Sequence, residues 1–164
     1  MNEETLKQAT AVDALLAMMV EQPPADIRAR HLFTPGLYTR GCRIPRHTLL
    51  VTEQHLTEHP FIITEGTAWV WSENEGVVIY QAPHIGVTKP GTRRVIWTET
   101  EVMWTTFHAT EETDVEQIGR TILAEVENPL LPDGHPGLHA WLGQLPVKTE
   151  DLKATNGRLE ADES

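Results

Sequence analysis

Residues 61–88 read FIITEGTAWVWSENEGVVIYQAPHIGVT. Four short runs, Phe61–Glu65, Thr67–Ser72, Val77–Ala82 and Ile85–Thr88, are rich in Ile, Val, Thr, Trp and Tyr. Gly66, Glu73–Gly76 and Pro83-His84 separate them. Branched and aromatic residues suit a pleated surface, and Gly and Pro break it, so the stretch predicts four strands joined by tight turns. The same grammar extends outward. Strands are expected at His31–Phe33, Leu37–Ile44 and Leu49–Leu56 before it, and at Arg94–Thr98 and Val102–His108 after it. Many short strands with no helix between them predict an all-β antiparallel barrel or sandwich. They leave no room for a Rossmann unit, and no Gly-rich phosphate loop is present.

Charge supports this division of the chain. The 164 residues carry 24 Asp+Glu against 13 Lys+Arg, net −11. Residues 1–30 hold 5 acids and 3 bases (−2), residues 31–110 hold 7 and 6 (−1), and residues 111–164 hold 12 and 4 (−8). The nearly neutral middle also holds four of the five Trp, both Tyr and all three Phe, so the core belongs there. Net acidity argues against direct nucleic-acid binding and against attraction to anionic lipid. The one cysteine, Cys42, rules out an internal disulfide framework and any multi-cysteine metal site. The longest apolar run, around Ala14–Val20, is too short to span a bilayer, and the acidic N-terminus does not read as a signal peptide. A cytoplasmic protein is expected.

The ends read as helical and irregular. Leu6, Ala9, Val12, Leu16 and Met19 share a face of an expected helix over 2–20, stopped by Pro23-Pro24. Val115, Ile118, Ile122 and Val126 predict a second helix from Asp114 to about Glu127, with Thr113 and Glu116 spaced as a capping box. A helical turn is expected within Pro136–Leu145, and disorder after about Leu152. The expected organisation is an N-terminal helix and linker over 1–30, a barrel over 31–110, and a C-terminal helix with an acidic, partly disordered tail over 111–164.

One constellation could carry chemistry. If the strand Leu49–Leu56 is regular, Leu49, Val51, Glu53 and His55 share a face that is apolar at one end and polar at the other. His59 opens the next strand, so Glu53, His55 and His59 would converge at a barrel mouth. Imidazole and carboxylate are good ligands for divalent Fe, Mn, Ni, Co or Zn. The bland alternative is a polar rim. His108, at the end of the last strand, is read first as structural and second as a further ligand. Arg94, after the Pro90-Gly91 turn, would bind an anionic group if it points inward, for which a guanidinium fork is suited. His84 is expected to be exposed in its turn, and His31 and His47 carry no specific signal.

The stretch from Arg46 to His108 resembles the cupin superfamily. The first cupin motif has the form G-x5-H-x-H-x(3,4)-E-x6-G. Anchored on Gly66, it puts its two His at Glu53 and His55 and its Glu at His59, so His55 and Gly66 match while Glu53 and His59 exchange ligand types. His47 stands at the leading Gly. The second motif, G-x5-P-x-G-x2-H-x3-N, matches at Gly91 but has Arg94 at its His and Thr98 at its Asn. The segments HLFTPGLYTR, TEHPFIITEG and WTTFHAT also look like small cupin-like proteins encoded by bacteriophages.

The resemblance implies a double-stranded β-helix, or jelly roll, with flanking N- and C-terminal helices, and a homodimer. Two functions of different kinds are expected. One is a small-molecule-binding cupin, a metal-dependent oxygenase or isomerase, with a divalent metal at Glu53, His55 and His59, His108 as a further ligand, and Arg94 on the ligand. The other is a metal-free binding or scaffold protein, such as a phage accessory or structural component. An acidic mimic of DNA is a third, weaker reading.

Overall fold

The computed structural model describes residues 25–72 and 74–123 and the strand Lys153–Thr155. The expected helix over 2–20 and the turn within 136–145 lie outside the described residues. The described residues form ten strands: β1 (Arg28–Thr34), β2 (Leu37–Ile44), β3 (Thr48–Val51), β4 (His59–Glu65), β5 (Thr67–Ser72), β6 (Gly76–Gln81), β7 (His84–Thr88), β8 (Arg94–Thr98), β9 (Val102–Ala109) and β10 (Lys153–Thr155). A short helix, α1 (Val115–Ile122), follows β9.

The pairing is nested. β5 pairs with β6, β4 with β7, β3 with β8 and β2 with β9, all antiparallel. This is one long hairpin folded over itself, so alternate rungs fall into two sheets. The first sheet has the order β1-β2-β9-β4-β7 and the second β10-β3-β8-β5-β6. That arrangement is a jelly roll, a mostly antiparallel two-sheet β fold as expected. β10 joins β3 in parallel, so at least Lys153–Thr155 of the expected disordered tail is a strand.

The core lies between the sheets. Ile44, Phe61, Ile63, Val102 and Trp104 come from the first sheet, and Leu50, Ala68, Val70, Tyr80 and Ile96 from the second. β4 shows why: His59, Phe61 and Ile63 are buried, while Pro60 and Thr64 are exposed. β8 is buried along its whole length because it is flanked by β3 and β5. Gly66 sits at φ +88° between β4 and β5, where a Cβ would lie 2.0 Å from the Glu101 carbonyl oxygen. Only glycine fits that turn.

Three local expectations are corrected. β3 ends at Val51, not Leu56: Thr52 is the last residue to bond β8 (its N–H to the Arg94 carbonyl), and beyond it His55 bonds Gly91 and Thr92 while Leu56 bonds the end of α1 at Ile122. The strand alternation that grouped Glu53 with His55 therefore does not run that far. α1 ends at Ile122 because Leu123 is extended (φ −116°, ψ 142°) and bridges to His55. Its cap is Asp114, not Thr113: the Asp114 carboxylate accepts from the Glu116 and Gln117 N–H groups. α1 buries Ile118 and Ile122 against Tyr38.

Candidate functional site

The inner face of the first sheet is a stack of rungs read across strands. Ile44 faces Val102. The next rung is Cys42, Trp104, Ile63 and His84; the next is Arg40, Thr106, Phe61 and Gly86. At the mouth, Tyr38 faces His108, and His59 faces Thr88. The side chains change from aliphatic to aromatic to ionisable along this axis. The apolar-to-polar gradient expected on β3 thus exists, but on β2, β4 and β9.

Three imidazoles meet at that mouth. His59 and His108 have ring centres 4.2 Å apart, and His55 and His59 4.7 Å apart. His55 arrives from the loop after β3, fixed by its N–H on the Thr92 carbonyl and its carbonyl on the Gly91 N–H. His59 Nδ1 lies 3.1 Å from the Thr57 carbonyl, which sets Nδ1 as donor and leaves the Nε2 lone pair free. His108 Nε2 lies 3.1 Å from Thr106 Oγ1. Its Nδ1, and that of His55, are buried without a hydrogen-bond partner. The structure therefore joins His55 and His59 to His108; Glu53 is half-buried on the loop after β3.

All three imidazoles are held neutral. Burial, then the neighbouring His59 and Arg94, pushes His55 down to about 3. Burial, then His59 and His55, does the same to His108. Burial lowers His59 too. Neutral imidazole is the form a metal needs. Yet among the described residues no group of three or more His, Cys, Asp or Glu is placed to hold a metal ion. The trio packs ring against ring, so the donor chemistry suits a divalent metal while the present arrangement does not fit one.

Tyr38 backs the trio. It is wholly buried, its ring centre is 5.8 Å from that of His108, and its hydroxyl is 2.7 Å from His31 Nδ1. Burial pushes the Tyr38 phenol up to about 12, so it stays protonated.

Arg94 points inward from β8 and is 4% exposed. Its Nη1 donates to Thr88 Oγ1 at 3.0 Å. Its guanidinium carbon lies 5.1 Å from the Phe61 ring centre and 6.0 Å from that of Trp104, both on the opposite sheet. Its Nε is buried without a partner, and it forms no ion pair among the described residues. Burial lowers its pKa. His84, expected to be exposed, is half-buried and stacked on Tyr80 at 4.4 Å, because β7 already begins at His84 and turns it inward.

Sequence reading assigned no role to Thr88, Tyr38 or Arg40. Their signal is parity: Tyr38, Arg40, Cys42 and Ile44 alternate on one face of β2, as Val102, Trp104, Thr106 and His108 do on β9.

No family model matches the chain, and no curated protein matches it. Among solved structures, salicylate 1,2-dioxygenase from Pseudaminobacter salicylatoxidans is similar with a TM-score of 0.48 and 16% identity, over 71% of this chain and 34% of that one. Acetylacetone dioxygenase from Acinetobacter johnsonii gives 0.43 and 16%, over 55% and 68%. A Neisseria meningitidis protein gives 0.44 and 9%, over 58% and 96%. This chain thus spans about a third of the salicylate dioxygenase. At such identities and scores the likeness carries no argument about the reaction, and the fold rests on the strand pairing itself. The comparisons lend no support to a bacteriophage origin. No described helix is long and apolar enough to cross a membrane.

Proposed function

We propose that this chain is a small-molecule-binding protein of cupin-like fold whose ligand carries an anionic group held by Arg94 at the mouth of the barrel. The observation that carries this is a guanidinium 4% exposed, with a buried unpartnered Nε, whose polar neighbours are Thr88 and the Tyr80 hydroxyl; the carboxylate that acts on it is Glu75, an exposed residue that accepts from Tyr80. A buried charge whose counterion stays at the surface is costly, and a ligand anion would offset that. The neutral trio of His55, His59 and His108 lies beside it as further hydrogen-bonding surface. Thermal-shift measurements with acetate and the neutral isostere acetamide test the reading. Acetate should stabilise the wild type and acetamide should not, and R94M should lose the difference. Equal responses in both proteins would overturn it.

A second reading places a divalent cation on the trio, favoured by two imidazoles with unpartnered buried Nδ1 atoms. Small ring rotations would be needed. An oxygenase or isomerase activity belongs to this reading alone, with the metal supplying Lewis acidity or oxygen activation. Metal analysis of freshly purified protein, with H55A and H108A as controls, decides it. Stoichiometric metal lost in both variants supports it, and metal-free wild type removes it.

A further inference from the structure

We propose that Arg40 is a second anion anchor facing the same interior, so that the ligand carries two anionic groups, one for each guanidinium. This rests on the reading of Arg94 given above. Arg40 shares the inward face of β2 with Tyr38, Cys42 and Ile44. Its neighbour Arg43 has the opposite parity and behaves differently, pairing outside with Glu65 and Glu101. Arg40 has no such pair. It is half-buried, its Nε is buried without a hydrogen-bond partner, and it forms no ion pair among the described residues.

The two guanidinium groups address one place. Arg40 lies opposite Thr106, and Thr106 lies opposite Phe61. Phe61 is the ring on which the Arg94 guanidinium rests. Two strand spacings, about 10 Å, separate the Arg40 and Phe61 backbones. Extended arginine side chains cover such a distance readily. The field of Arg40 reaches His55 and His108, and that of Arg94 reaches His55 and His59, so both act on the histidine trio.

Charge counting then gives the ligand class. No Asp or Glu is buried among the described residues. Arg94 is met by Thr88, by Tyr80 and, at the surface, by Glu75, and Arg40 by no ion pair among the described residues, so neither inward guanidinium has a buried counterion and a ligand anion would supply one to each. A single monoanion would satisfy one. The separate positions of the two anchors on facing sheets favour two carboxylates on a short spacer over one compact phosphate. Each carboxylate matches one planar fork.

Calorimetric titration of the full chain with succinate, acetate and inorganic phosphate tests this, in wild type, R40M, R40K and R94M. The thermal midpoint of each variant checks that it folds. Succinate should bind wild type at least tenfold more tightly than acetate or phosphate. R40M should bring succinate down to the level of acetate while acetate binding persists, and R40K should restore part of the preference. R94M should weaken both carboxylates. If succinate has no advantage over acetate, or R40M keeps it, or phosphate binds most tightly, the second anchor is wrong while Arg94 stands. If no anion binds the wild type, the reading of Arg94 itself fails.

Discussion

The ring centres of His59 and His108 lie 4.2 Å apart, although the two residues are separated by most of the barrel's sequence. They are neighbours because β4 and β9 pair with Phe61 opposite Thr106, which brings His59 beside His108 two residues further on. Burial keeps both neutral, helped at His108 by the neighbouring His59 and at His59 by Arg94, and this gives the fold a pH dependence. An unfolded histidine titrates near 6.5, whereas folded His108 and His55 titrate at about 3. Below pH 6.5 the unfolded chain binds protons that the folded chain refuses. Stability is therefore fully present above that pH and is lost as pH falls towards 3, by about 1.4 kcal/mol per pH unit for each such group. Urea midpoints measured between pH 7.5 and 4.5 should fall steadily, and H108F should show a shallower slope. A flat wild-type profile would contradict the burial of these rings.

Arg94→Met should raise the stability of the ligand-free protein. The guanidinium is buried with no buried carboxylate to balance it, and an apolar side chain of similar length removes that cost, which exceeds the loss of the bonds to Thr88 and Tyr80. The expected gain is about 1–3 kcal/mol, read as a higher urea midpoint at unchanged m value. A loss of comparable size would mean that the ring faces of Phe61 and Trp104 stabilise the cation more than its desolvation costs.

Gly86→Ala tests how Phe61 is seated. A Cβ at Gly86 would lie 2.5 Å from the Phe61 ring, which lies across its cross-strand partner. The ring must move, and with it the surface beneath Arg94. The variant should lose about 1–3 kcal/mol of stability, as overpacked sites do, and should weaken anion binding. Unchanged stability would place the ring elsewhere.

Ile118→Ala tests the coupling of α1 to the site. Ile118 is fully buried against Tyr38, which in turn stacks on His108. A loss of about 2–4 kcal/mol is expected from transfer and cavity terms. The backbone amides of Leu56 and Leu123 should also exchange faster, since their hydrogen bonds to Ile122 and Gly119 depend on the helix end.

Much of the fold was legible because its strands are short, rich in branched residues and punctuated by Gly and Pro. The turn at Gly66 follows from residue type, whereas the burial of Arg94 does not: arginine is by type a surface residue, and it is the place of β8 between β3 and β5 that turns it inward. The site was half legible. His55 and His59 stand close in sequence, so local spacing sufficed to group them. His108 required the pairing of β4 with β9, and Arg40 that of β2 with β9, which no local pattern encodes. Glu53 was grouped with them on the premise of a straight strand. Hydrogen bonding to β8 ends at Thr52 instead, and the segment beyond it is held by Gly91, Thr92 and the end of α1, tertiary contacts that outweigh alternation.

The nested pairing also sets an order of assembly. β5 and β6 meet through a turn of three residues, whereas β2 and β9 meet only after everything between them is in place. Loop closure makes the widest pair the slowest and most dependent on the rest. Tyr38, Arg40 and His108 all lie on that outermost pair. A partly folded chain can therefore hold a sound inner hairpin and yet no binding surface, so occupancy of the mouth would report that the barrel has closed.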